Sequence, residues 1–196
     1  MEKLKQLLLY ANVTRAEYEQ VRPEIRRANA EKLRALLGLA LAILLVVLLL
    51  SYRMAILNPN STAYLVVLAV CVVLACASEL LPSKDSRVLS VYICIFQASI
   101  LLLGIYVGTV TCQNQQSTSF PAFLLVVPLL FVLRPVICIE RTLLAEMIYL
   151  ACVVHFKQPG TYALDFFNSI LFTIISIVVS TYVQCMLTRS FVSQEK

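Results

Sequence analysis

Asp165, Ser169, Thr173, Ser176, Ser180, Gln184 and Thr188 lie inside one long apolar stretch near the end of the chain. Their spacings are four, four, three, four, four and four, so on a helix they share one face. A row of hydroxyls, an acid and an amide in apolar surroundings can hydrogen-bond to neighbouring helices or line a polar path. Glu146 is the acid expected to lie within an apolar segment, and Gln97 is a further polar group of that kind. A bare charge in such a place costs several kcal/mol, roughly. Glu146 should therefore be protonated or hydrogen-bonded and face other helices. Being about one turn beyond Arg141, it could also reach towards the end of its segment.

Other chemistry is thinly represented. No nucleophile–base pair, phosphate-binding loop or metal-spaced ligand set is present, so an intramembrane enzyme is the weakest of the readings and no cofactor is implied. The single histidine, His155, falls at the end of an apolar stretch, where an interfacial role is ordinary. The seven cysteines, at 71, 76, 94, 112, 138, 152 and 185, form no C-x-x-C pair, and most sit in apolar segments as small hydrophobes. Gly104-Ile105-Tyr106-Val107-Gly108 matches the G-x-x-x-G pattern that lets helices approach closely, within a bundle or between subunits. Asn60-Ser61-Thr62 is a formal glycosylation sequon lying very close to an apolar segment.

The elements that must carry these groups are helices in lipid. The 196 residues are 60% hydrophobic and 14% charged, against about 25% charged in a soluble domain. The expected fold is all-α, a polytopic membrane helix bundle with six transmembrane helices and a short N-terminal cytoplasmic helical cap. The spans are read at about 36–51, 63–80, 88–110, 120–133, 142–156 and 162–187, most of them near the 20 residues that cross a core of about 30 Å. The fourth is short: Pro121 suits its first turn, Pro128 should kink it and Pro135 should end it. A re-entrant fourth segment is the alternative, leaving five crossings. Connections are expected at Asn58-Pro59-Asn60, residues 82–87, residues 111–119 and Gln158-Pro159-Gly160.

Of the 16 Lys and Arg, only Arg53 and Lys157 fall outside the termini and the second and fourth loops. The other 14 then mark the cytoplasmic side, so both termini should be cytoplasmic and the localisation a cell (plasma) membrane. The net charge of +5 serves orientation and contact with anionic lipid rather than nucleic acid. Roughly 32 mixed-charge residues precede the first apolar run and no small-residue cleavage site follows it, so no cleavable signal is expected.

Residues 1–34 read as cytoplasmic amphipathic helices, 35–188 as the transmembrane domain and 189–196 as the start of a linker helix. Leu4, Leu7 and Leu8 give the first short helix an apolar face. Thr14-Arg15-Ala16-Glu17 reads as a capping box opening a second helix. Pro23 should interrupt that helix, and a third should begin near Glu24. The segment reads either as an interfacial anchor or as a docking hairpin. Residues 189–196 contain neither Gly nor Pro, so the last helix can extend into the cytosol.

The opening Met1-Glu2-Lys3-Leu4-Lys5-Gln6-Leu7-Leu8-Leu9-Tyr10, the 18–27 stretch, the six spans and the outgoing 189–196 helix resemble the N-terminal membrane module of GGDEF-type diguanylate cyclases from Gram-positive gut bacteria. The resemblance covers the whole chain. It implies a bacterial sensory or anchoring domain that signals through the sixth span to a cytosolic output domain, in cis or in trans, within cyclic di-GMP signalling. The GGDEF motif and cyclase domain are absent here, so no catalytic residue carries over. The expected partners are the bilayer, a second copy as a homodimer, and the output domain. The competing expectation is a small multi-pass transporter or channel, with Glu146, Gln97 and the polar face of the last span lining a path.

Overall fold

The computed structural model describes residues 2–51, 53, 60–80 and 86–195. Asn58 and Pro59 of one expected connection, and residues 82–85 of another, lie outside the described residues. Those described are almost entirely helical, with no strand among them. Four of the helices are long and apolar enough to cross a membrane.

The chain opens with α1 (Glu2–Tyr10), closed by Ala11 and Asn12 in the left-handed region at φ 51° and 65°. The amide of Asn12 reaches back to the carbonyl of Gln6 at 3.1 Å, a usual way to satisfy the end of a helix. Thr14 and Glu17 then form the expected capping box. Thr14 N–H donates to Glu17 Oε2 at 3.1 Å, and Glu17 N–H donates to Thr14 Oγ1 at 3.2 Å.

From there α2 (Arg15–Ser51) runs for 37 residues, with Pro23 inside it. The expected break at Pro23 does not occur. Proline removes one intrahelical bond, but Pro23 is exposed, so water can solvate the carbonyl it leaves free. On the opposite side Tyr18, Val21, Ile25, Asn29, Leu33 and Leu37 form a buried stripe spaced by threes and fours. Packing on both sides of the proline holds one helix, and α2 passes residue 34 unbroken.

Next come α3 (Ser61–Leu80) and α4 (Ser86–Tyr106), the latter ending in a π-turn over Val107–Thr111. With α2 they enclose an apolar core around Leu33, Leu37, Val67, Cys71, Ile93 and Phe96, which Phe131 also enters. The fourth apolar stretch is broken. It forms α5 (Ser119–Val126), a single 3-10 turn at Val127–Leu129, and then non-helical chain to Arg134.

Pro135 does not terminate this stretch, which has already left the helix. It occupies the first position of α6 (Pro135–Phe156), where its missing N–H is no loss. Pro159 does the same for α7 (Pro159–Gln194), so Pro159 and Gly160 belong to the helix rather than to a turn. At 36 residues α7 is about 54 Å long.

The bundle has two distinguishable ends. At one, α1, the start of α2, the start of α6 and the last turns of α7 meet, with Val13, Tyr18, Val21 and Ile25 packed against Val132, Leu187, Phe191 and Val192. At the other, the end of α6 and the start of α7 meet the chain that enters α5. Large apolar side chains stay exposed along α2, α3, α6 and α7, among them Leu49, Val73, Met147, Val154, Phe167 and Val178.

Candidate functional site

The buried polar groups gather along α7 into three layers. The first joins the end of α6 to the start of α7. Lys157 and Asp165 form an ion pair with both side chains fully buried. Lys157 Nζ also donates to the carbonyl of Gln115 at 2.7 Å, and Asp165 Oδ1 accepts from Ser117 N–H at 2.8 Å. The pair thus clips the chain entering α5 onto the α6–α7 corner. Two buried charges hold together only when each has further partners, as both have here.

One turn along, Glu146 is buried between α6 and α7. Ser169 Oγ donates to its Oε1 at 2.7 Å, and Thr173 Oγ1 donates to its Oε2 at 2.9 Å. Two hydroxyls from successive turns of α7 therefore cap one carboxyl from α6. Thr142 and Tyr149 lie on the same buried face of α6. The Thr142 hydroxyl finds no hydrogen-bond partner among the described residues, and those of Tyr149 and Ser117 lie near each other. Tyr149 stacks on Phe120 with ring centroids 4.1 Å apart. A buried carboxyl with hydroxyl neighbours can take up a proton or a small cation.

The third layer serves the broken stretch. Its backbone lacks helical partners, and three amide side chains replace them. Asn29 of α2 pairs with Val132 in both directions, donating to its carbonyl at 2.8 Å and accepting from its N–H at 2.9 Å. Gln184 of α7 accepts from Leu133 N–H at 2.9 Å and donates to the carbonyls of Pro128 and Phe131 at 3.0 and 2.8 Å. Gln97 of α4 donates to the carbonyl of Val127 at 3.0 Å and accepts from Arg141. Ser176 Oγ adds a bond to the carbonyl of Leu124 at 2.7 Å. Irregular backbone away from water persists only where such partners exist.

The structure thus divides the candidate residues by role. Glu146, Ser169 and Thr173 come together as one cluster. Asp165 belongs to the ion pair. Gln97, Ser176 and Gln184 brace the broken stretch. Ser180 bonds only within its own helix, to the carbonyl of Ile177 at 3.3 Å, and Thr188 is buried without a partner among the described residues.

Gly104 and Gly108 face α5 and the chain before it. A methyl at Gly104 would overlap the Phe123 ring, and one at Gly108 would overlap Ser117. The G-x-x-x-G surface is therefore occupied within the chain. His155 is exposed and touches the Phe156 ring edge-on at 4.7 Å, apart from these layers. No group of three or more His, Cys, Asp or Glu residues is placed to hold a metal among the described residues.

Sequence reasoning passed over Lys157 and Asn29. Each had a signal. Lys157 broke the charge pattern eight residues before Asp165, and Asn29 interrupts an apolar stripe at a spacing of four from Ile25 and Leu33. Comparison with protein-family models, curated proteins and solved structures returned no match.

Proposed function

We propose that the chain is the six-crossing input module of a membrane signalling protein, with both termini cytoplasmic and α7 passing the signal to a cytosolic output domain. By the resemblance noted above, that output is a diguanylate cyclase. Six crossings are favoured over five by where the ends of the broken stretch lie. The residues flanking the stretch meet opposite ends of the bundle, Ser117 beside Asp165 and Arg134 beside Glu19 at 3.6 Å. The exposed apolar side chains suit lipid contact, and the distribution of Lys and Arg supports the orientation.

The observation that carries the signalling reading is α7 itself. One continuous helix bonds to Lys157, Glu146, α5 and the broken stretch along one face, and its last turns pack on the N-terminal cap. It cannot rotate or slide by a small step without exchanging several buried bonds together. A packed element of this kind favours discrete arrangements over continuous drift. The test is a reporter cyclase fused after residue 196, with one to four alanines inserted at the junction. Output should rise and fall with a period of about 3.6 residues. Output indifferent to the insertions would refute transmission through α7.

A second reading rests on Glu146. A buried carboxyl beside a broken crossing also suits an ion- or proton-coupled transporter, whose sites are often built at discontinuous helices. Ion or proton flux in proteoliposomes that disappears in Glu146→Gln would favour this reading over the first.

A further inference from the structure

At the end of the bundle where the cap lies, a pocket of about 410 Å³ opens between α2, α4 and the start of α6. Four arginines line it: Arg22 and Arg26 from α2, Arg87 from α4, and Arg134 from the residue preceding α6. They come from three separated stretches of sequence, so their convergence is a product of the fold. One carboxylate, Glu19, is shared by two of them, with Arg22 at 2.9 Å and Arg134 at 3.6 Å. Arg134 also lies over the Tyr18 ring at 5.2 Å, and Arg26 Nε donates to the carbonyl of Arg22 at 3.3 Å. These contacts hold Arg22, Arg26 and Arg134 in place, and one carboxylate does not cancel their three charges.

The start of α6 adds to the field. Its first turn has no acidic residue, and no side chain caps it. Pro135 has no N–H, and Ile137 and Cys138 donate to the Arg134 carbonyl, so the helix start contributes its partial positive charge rather than a set of free donors. The remaining wall is largely apolar and includes Ile25, Ile93 and Val132. A concavity with guanidinium groups at its polar side and branched aliphatic side chains behind suits an anion carrying an apolar body.

We propose that this pocket binds a phosphoryl anion, supplied by the headgroup of an anionic phospholipid. Arginine matches phosphate geometry with paired donors, and Arg22, Arg26 and Arg134 outnumber Glu19, the carboxylate that two of them share. On α2 the pocket spans residues 18–29, in the mixed-charge stretch before the apolar run, where an anionic headgroup can meet basic side chains. The inference does not depend on signalling, since a transporter or a simple anchor could hold the same lipid.

The test titrates the purified full chain with short-chain phosphatidylglycerol, short-chain phosphatidylcholine and inorganic phosphate, counting bound molecules by native mass spectrometry. Phosphatidylglycerol should bind with one preferred stoichiometry, and Arg26→Gln should weaken it about tenfold, the loss of one charge-assisted contact. Arg27→Gln removes the same charge from the next residue, whose partner is the exposed Glu31, and should have little effect. Binding of inorganic phosphate that is equally sensitive to Arg26→Gln would uphold the site and assign it to a soluble ligand. Equal losses in Arg26→Gln and Arg27→Gln would overturn the proposal, leaving only diffuse surface charge. Wild-type protein that binds phosphatidylcholine as tightly as phosphatidylglycerol overturns it with no variant at all. Arg26→Lys, which keeps the charge, should retain most of the binding and guards against a folding defect.

Discussion

α3 and the broken stretch from Ser119 to Arg134 are both apolar, and they are held in opposite ways. α3 is a continuous helix of 20 residues. Its backbone satisfies itself, so its neighbours need to offer only shape, and Val67, Cys71 and Leu74 meet α2 and α4 in an apolar core. The broken stretch leaves donors and acceptors open from Leu124 to Leu133. Its neighbours must supply them, which places Asn29, Gln97, Ser176 and Gln184 on the inward faces of α2, α4 and α7. An interruption in one helix is thus answered by polar residues in three others. Within the polar face of α7, Ser176 and Gln184 are the complement of the break beside them.

The comparison is broken most severely at the ion pair that clips the broken stretch to the α6–α7 corner. Lys157→Met leaves Asp165 buried and charged, and should cost about 3–5 kcal/mol. Adding Asp165→Leu should recover much of that loss. Denaturant unfolding in bicelles, followed by circular dichroism, measures both. A double variant no more stable than the single one would mean that the clip matters for its hydrogen bonds to Gln115 and Ser117 rather than for charge balance.

Gln184→Leu sharpens the contrast between the two elements. It removes three hydrogen bonds at once and strands backbone groups of Pro128, Phe131 and Leu133, with an expected loss of about 3 kcal/mol. Val67→Ala in α3 removes only packing and should cost about 1–2 kcal/mol. Hydrogen exchange should also differ in kind. Gln184→Leu should release amides locally between residues 127 and 134, whereas Val67→Ala should lower protection throughout the α2–α4 core. Equal and uniform loosening in the two variants would remove the distinction.

The smallest effect concerns the cap that seals the lower end of the broken stretch. The hydrogen bond from Arg22 holds the Glu19 carboxyl below its ordinary 4.5, helped by the charges of Arg22, Arg134 and Arg15. A carboxyl lowered in the folded state stabilises above its unfolded value, and that stabilisation is lost as pH falls through the lower folded value. Glu19 is well exposed, so the contribution is at most a few tenths of a kcal/mol. Spin labels at residues 20 and 136 should move apart slightly on acidification below about pH 4.5. Glu19→Gln should show the larger separation at neutral pH and no further change with acid.

Much of the bundle was legible because its signals are local. The apolar stretches, the capping box at Thr14–Glu17 and the single polar face of the last helix follow from periodicity and short-range bonding. The shortness and proline content of the fourth stretch marked it as irregular, and Pro128 does sit where the α-helix gives way to a 3-10 turn. Pro23 does not break its helix, Pro135 opens a helix rather than ending one, and Pro159 lies just past the turn between α6 and α7, as the first residue of α7. A proline's effect depends on whether its position is exposed, or is the first of a new helix, and neither is written in its immediate neighbours.

Hydropathy and charge alone fixed that the chain is helical and apolar enough to cross a membrane, because both properties sum over residues whatever they touch. They also singled out Glu146, Gln97 and the α7 face as unusual. Only the tertiary structure decided what those residues do. It separated an ion pair, a hydroxyl-capped carboxyl and an amide brace along one helix that reads as a single polar row. It also drew Arg22, Arg26, Arg87 and Arg134 around one pocket. Hydrogen bonds and charge pairs act over a few ångströms, so their meaning rests on which helices lie side by side, and spacing along the chain does not carry that information.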